Sequence, residues 1–224
     1  MTYQKDFPNI NHRSEQKDVL KSLAKIILTD HYEEQLLPLP RTPYEHADNH
    51  SGCTYSDDAG NADRITEKRI CRCWNYCNKN IHKEKCLACS FGFKKSNKGD
   101  IAILDYEVPT KFNMEKLGGI DWLLSDGAGE IAAEVKPPDS PETLVRMIAE
   151  ILTYTIGTDY TPAICFFKTQ QDGTSPSAQM RDYMTYKDNA DFLSIKHKTG
   201  LRVLYITFDD SSFMIHDTEK EPLV

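Results

Sequence analysis

The sequence predicts an α/β fold, a central mixed sheet flanked by helices that carries a small inserted cysteine-rich module. Three observations lead there. The elements read in the order helix, three strands, helix, strand, then a further helix and hairpin, which suits layers around one sheet. Two apolar segments, residues 118–124 and 130–136, flank Ser125-Asp126-Gly127-Ala128-Gly129 and read as a hairpin. Six of the seven cysteines fall within residues 53–89, so that stretch is built differently from the rest. A chain of 224 residues fits one domain, 1–224, with residues 64–98 as the insertion.

Each element has its own signal. Residues 14–37 are predicted helical, with Ser14 as the cap and Val19, Leu23, Ile26 and Ile27 at helical spacing, and Pro38 and Pro40 end the run. Residues 38–70 are rich in Pro, Asn, Asp and Gly and read as irregular connection. Residues 101–108 form a strand that Pro109 stops. Pro137 and Pro138 end the second hairpin strand, and Ser140-Pro141-Glu142-Thr143 starts a helix with proline at an early position. That helix runs to Thr155 and Gly157 ends it. Leu144, Ile148, Ile151, Leu152 and Thr155 form one stripe, and Arg146, Glu150 and Tyr154 another. Residues 163–167 are a buried strand in which Cys165 packs as a small hydrophobe. A polar helix over residues 177–195 and strands 201–208 and 212–216 complete the chain.

Composition narrows the setting. No apolar run approaches the roughly 20 residues that a membrane span needs. The first residues, Met-Thr-Tyr-Gln-Lys-Asp-Phe-Pro-Asn, have no apolar core, which predicts no signal peptide and a cytoplasmic protein with reduced cysteines. The net charge is −7, but it is unevenly spread. Residues 64–98 hold ten basic residues and two acids, a local charge of +8 that leaves −15 for the rest. A basic segment on an acidic body points to phosphate binding. Arg69, Arg72, Lys79, Lys83, Lys85, Lys94 and Lys95 are the candidate nucleic-acid contacts.

The same segment has metal-ligand spacing. Cys86-x-x-Cys89 is a knuckle, and Cys73-x3-Cys77 is its partner pair, with Cys71 and His82 as alternative ligands. Four thiolates so placed can close a tetrahedral zinc site. An iron–sulfur cluster also uses four cysteines, but paired ligands on a short loop suit zinc better. His46, His50 and Cys53 upstream could serve a second site. The segment is too polar to fold alone, so metal binding would supply its folding free energy.

The hairpin carries the chemistry. Side chains alternate across a strand, so Glu134 and Lys136 share one face while Val135 points the other way. Asp121 stands on the neighbouring strand between Ile120 and Trp122. Ile131, Ala133 and Val135 on one side and Ala132 on the other predict a strand covered on both faces. A covered acid and lysine need a partner. A divalent metal and a phosphate between them supply it.

These residues resemble the PD-(D/E)xK nuclease superfamily. Its α-β-β-β-α-β core, restriction-endonuclease-like in fold, has an Asp on the second strand and an acid-x-lysine on the third. Here Asp121 is followed, after twelve residues, by Glu134-Val135-Lys136. The next helix is similar to that of RecB-type exonucleases, whose Q-x-x-x-Y stands here as Glu150-Ile-Leu-Thr-Tyr154. The likeness covers roughly residues 14–37 and 100–168. Two departures are plain: Ile120 stands where the family often has proline, and Glu150 replaces Gln. The cysteines precede the core strands, whereas in the iron–sulfur exonucleases most ligands follow the core, a further reason for zinc.

The resemblance implies a Mg²⁺- or Mn²⁺-dependent deoxyribonuclease. It implies Asp121, Glu134 and the Val135 carbonyl as metal ligands, Lys136 on the water or phosphate, and Glu150 and Tyr154 reaching in from the helix. A further acid from Glu33, Glu34 or Glu107 is implied as well. DNA is the expected partner, with RNA and a homodimer both open. The alternative is a non-catalytic nucleic-acid-binding or protein-interaction module on the same scaffold.

Overall fold

The computed structural model describes residues 10–33, 96–97, 99–109, 119–138, 140–170, 172–208 and 212–223. Along the chain the elements are a 3₁₀ turn at Arg13–Glu15, α1 (Gln16–Ile27), β1 (Ser96–Asn97), β2 (Ala102–Pro109), β3 (Gly119–Ser125) and β4 (Glu130–Lys136). Then come α2 (Leu144–Thr155), β5 (Thr161–Phe167), α3 (Ala178–Tyr186), α4 (Ala190–Thr199), β6 (Arg202–Phe208) and β7 (Ser212–Asp217).

The strands form one mixed sheet in the order β1-β7-β6-β5-β4-β3-β2. β2, β3 and β4 are an antiparallel meander, β4, β5 and β6 run parallel, and β7 turns back against β6. A parallel step needs a crossover, and α2 supplies it between β4 and β5. β4 therefore lies inside the sheet, and Ile131 to Val135 are all buried, as the apolar run predicts. Pro109 does not stop β2 but belongs to it, paired with Gly119. Among the described strands β2 lies at the edge of the sheet, where a strand tolerates a missing N–H.

Alternation builds two cores. The described helices join one of them, with Leu20, Leu23 and Ile27 of α1, Ile148 and Ile151 of α2 and Phe192 and Ile195 of α4 packed among Leu123, Ala132, Ile164 and Phe166. Trp122, Leu124, Val135, Cys165, Phe167 and Ile206 form the other on the opposite strand positions. Cys165 is fully buried, as its apolar neighbours predict, and burial pushes its thiol pKa up, with the Asp121 carboxylate adding to the effect. Among the described residues no helix is long and apolar enough to cross a membrane.

Three predicted helices differ. The first begins later than residue 14, because Ser14 lies in the 3₁₀ turn and makes no cap hydrogen bond. It ends at Ile27, where the Thr29 hydroxyl and amide both take the Ile26 carbonyl (2.7 and 3.1 Å), and His31 adopts a left-handed φ of 66°. The second starts at Leu144, not Ser140, and Thr143 caps it by accepting from the Arg146 amide at 3.2 Å. The polar stretch 177–195 is two helices, because Asn189 accepts from the Asp191 and Phe192 amides (2.9 and 3.2 Å) and starts a new one. Gly200, at φ 70°, closes that second helix in the left-handed conformation glycine tolerates.

The β3–β4 turn is tied to the far side of the sheet. Arg202 donates to Asp217 Oδ2 from Nε and Nη2 (2.9 and 2.6 Å) and to Asp126 Oδ2 from Nη1 (2.7 Å). The bond from Arg202, then the one from the Ala128 amide, holds the Asp126 carboxyl below its usual range. Arg202→Ala is expected to lower stability by about 2 kcal/mol in urea unfolding, since three charge-assisted bonds go at once. A loss below about 0.5 kcal/mol, the level of a surface pair, would show that solvent already screens them.

Candidate functional site

β3, β4 and α2 bring the charged residues together. The β3–β4 pairing is regular as far as Trp122 opposite Ala133. Continuing that register sets Asp121 opposite Glu134, and the Val135 amide donates to Asp121 Oδ2 at 2.8 Å. The Val135 side chain belongs to the far core, so Glu134 and Lys136 face the helix side, as alternation requires. α2 then crosses over them and contributes Arg146 and Glu150 one turn apart.

Lys136 is the hub. Its Nζ lies 2.5 Å from Glu134 Oε1, 2.9 Å from Glu142 Oε2 and 3.5 Å from Glu150 Oε2. Arg146 backs the acids from the other side, 3.1 Å from Glu150 Oε1 and 3.5 Å from Glu142 Oε1. These groups are removed from water: Glu134 is 3% exposed, Glu150 4%, and the Lys136 side chain 14%.

Burial governs the titration. It pushes the Glu134 carboxyl well above the usual range, the charges of Asp121 and Glu150 push the same way, and Lys136 opposes them. Burial alone would lower the Lys136 pKa, but Glu134, Asp121, Glu150 and Glu142 together outweigh it and hold the ammonium charged. Among the described residues, with every group ionised, four carboxylates face two cations, an excess of two negative charges. The Glu134 carboxyl also shares a hydrogen bond with that of Glu150, and a hard divalent cation would relieve the excess charge. Among the described residues no three His, Cys, Asp or Glu side chains are placed to hold a metal ion between them, and Lys136 stands among the acids.

Asp121, Glu134, Lys136 and Glu150 are thus brought into one cluster. Tyr154, on the same stripe one turn further along α2, is buried in the helix-side core. Glu33 is exposed beside the Tyr32 hydroxyl, whose pKa rises through burial first and the Glu33 charge second. Glu107 lies on β2, and its side chain is outside the described residues. Glu34, His46, His50, Cys53, the ligand candidates Cys71, Cys73, Cys77, His82, Cys86 and Cys89, and the basic residues Arg69, Arg72, Lys79, Lys83, Lys85, Lys94 and Lys95 are outside them too.

Sequence reasoning missed Glu142 and Arg146 as members of the cluster. The signal was present as an acid–arginine–acid run at 142, 146 and 150. Glu142 precedes the helix, however, so its approach depends on the loop conformation.

No protein-family model matches the chain, and neither a curated protein nor a solved structure matches it.

Proposed function

We propose that this chain is a metal-dependent nuclease that hydrolyses DNA phosphodiester bonds. The observation that carries the reading is the buried cluster itself. Four acids gather around Lys136 and Arg146, which leaves an excess of two negative charges among the described residues. Such a cluster costs folding free energy that a bound dication would offset. The order α1, β2–β3–β4, α2, β5, with the two-residue β1 set aside, supports the likeness to the α-β-β-β-α-β, restriction-endonuclease-like core of the PD-(D/E)xK family.

Asp121 and Glu134, with the Val135 carbonyl, would hold Mg²⁺ or Mn²⁺. When bound, such an ion lowers the pKa of a coordinated water and stabilises charge on the phosphoryl oxygens. The protein's own groups do the rest. Lys136 would place its ammonium against a non-bridging phosphate oxygen or orient the attacking water. Glu150 would accept the water's proton or steady the second side of the site, with Tyr154 behind it on α2. The water oxygen bonds to phosphorus, one phosphorus–oxygen ester bond breaks, and the leaving oxygen takes up a proton.

The basic segment 64–98 would grip the phosphates, folded around zinc on Cys73, Cys77, Cys86 and Cys89 or, as the rival, around an iron–sulfur cluster. The second reading, a non-catalytic binding module, draws on Lys136 being engaged by carboxylates already.

Cleavage of plasmid and of linear single- and double-stranded DNA in Mg²⁺ or Mn²⁺ tests the proposal. Wild type is expected to cut, and Glu134→Gln and Lys136→Met are expected to lose at least about a hundredfold in rate. Undiminished cutting by both variants would sink the site assignment. Binding of DNA with no cleavage in any metal would establish the second reading.

A further inference from the structure

Glu142 holds none of the positions that the family resemblance supplies, yet its backbone is firmly anchored. Its carbonyl accepts from Gln179 Nε2 at 2.6 Å and from Arg13 Nη2 at 3.0 Å, and its amide donates to Ser140 Oγ at 3.2 Å. Gln179 is fully buried and also holds the Ser140 carbonyl at 3.1 Å, while Arg13 holds that of Pro141 at 2.8 Å. The loop between β4 and α2 is therefore pinned from α3 and from the turn before α1. From that fixed point the Glu142 side chain reaches Lys136 Nζ at 2.9 Å, opposite Glu134 at 2.5 Å.

Lys136 thus has two sets of carboxylate partners. Glu134 and Glu150 belong to the proposed metal site, and Glu142 lies outside it. We propose that Glu142 is a positioning residue for Lys136, which leaves Glu134 when the site takes a divalent cation and stays inside the site on Glu142. This inference rests on the metal-dependent reading. The physical reason is charge: an ammonium cannot share a carboxylate with a dication in a dry site without strong repulsion. Without Glu142 the ammonium has no further carboxylate partner among the described residues beyond the reach of that repulsion and turns to solvent. The role is specific to the side chain, because the anchors described above go to the Glu142 backbone and survive its substitution.

The test uses Mn²⁺ with wild type, Glu142→Gln and Glu142→Asp of the full chain. Calorimetric titration is expected to show Mn²⁺ bound about tenfold more weakly by Glu142→Gln, the loss of one charge-assisted contact. Glu142→Asp should recover part of the loss. Amine-reactive labelling of Lys136, read by mass spectrometry, separates positioning from simple loss of structure. Wild type should protect Lys136 with and without Mn²⁺. Glu142→Gln should protect it without Mn²⁺, where Glu134 and Glu150 still hold it, and expose it with Mn²⁺. Equal Mn²⁺ affinity and equal protection in wild type and Glu142→Gln would overturn this inference alone. Failure of wild type to bind Mn²⁺ would overturn the metal-dependent reading as well.

Discussion

Lys136→Met is expected to lose about 3–5 kcal/mol of stability in the metal-free protein, with the larger loss at higher pH. Methionine keeps most of the side-chain volume, so the effect isolates the charge. Removing the ammonium leaves Glu134, Glu142 and Glu150 facing one another, two of them almost fully buried, with Arg146 as the cation that the described residues retain in the cluster. Breaking a buried pair is costly because the orphaned charge stays out of water. The acids can relieve the strain by taking up protons. An acid whose folded pKa is raised adds stability below its unfolded pKa, and that stability is lost as pH rises through the folded pKa. The deficit should therefore be smaller at about pH 5 than at about pH 8. Wild-type Lys136 keeps its contribution across this range, because its raised pKa lies far above it. Urea unfolding of both proteins at the two pH values, without metal, checks the prediction. Equal stability at both would show that Lys136 neutralises nothing that is buried.

Glu134→Gln is expected to change stability in the opposite direction. At about pH 8 and without metal, the variant should be more stable than wild type, by a margin that grows as pH rises from about 5 to 8. Burial first, then the charges of Asp121 and Glu150, raise the Glu134 pKa in the folded chain. Below the unfolded value both states hold the proton and no penalty applies. As pH rises from there through the folded value, the unfolded chain ionises first and wild type loses stability. Glutamine cannot ionise, so the variant escapes that loss, while Lys136 keeps Glu142 and Glu150. The informative quantity is the difference between the two proteins at each pH, because other groups titrate in both. A difference that is flat from about pH 5 to 8 would mean that Glu134 ionises as freely folded as unfolded. Together the two variants describe a site that sacrifices stability to hold acids together, which is the expected cost of a functional cluster.

Much of this was legible along the chain. The apolar alternation around Asp121, Glu134 and Lys136 set their faces correctly, and the Asp126–Gly129 turn joins the strands as predicted. Gly127, at φ 82°, supplies the left-handed residue that turn requires. Asn189, a strong cap in the middle of a polar stretch, was also readable in advance and would have divided the helix predicted there.

The start of α2 was not readable, and neither was Glu142. The Thr143 hydroxyl donates to the Ile10 carbonyl, Asp182 accepts from the Leu144 amide at 3.3 Å, and Arg13 reaches Asp182 at 3.3 Å. These partners lie 38 to 169 residues apart along the chain. Local propensity carries no information about contacts of that range, so the sequence pointed to Ser140 as the start.

The residues themselves therefore settled which side chains share a face, because a strand's period is a local property of the backbone. Tertiary structure decided which of those side chains meet. α2 crosses β4 at a height set by Asp182 and Ile10, and that height brings Glu142, Arg146 and Glu150 within reach of Lys136. The pattern of two acids and a lysine was visible on one hairpin. Its closure into a buried network of four acids and two cations needed a helix held in place by residues far away in the chain.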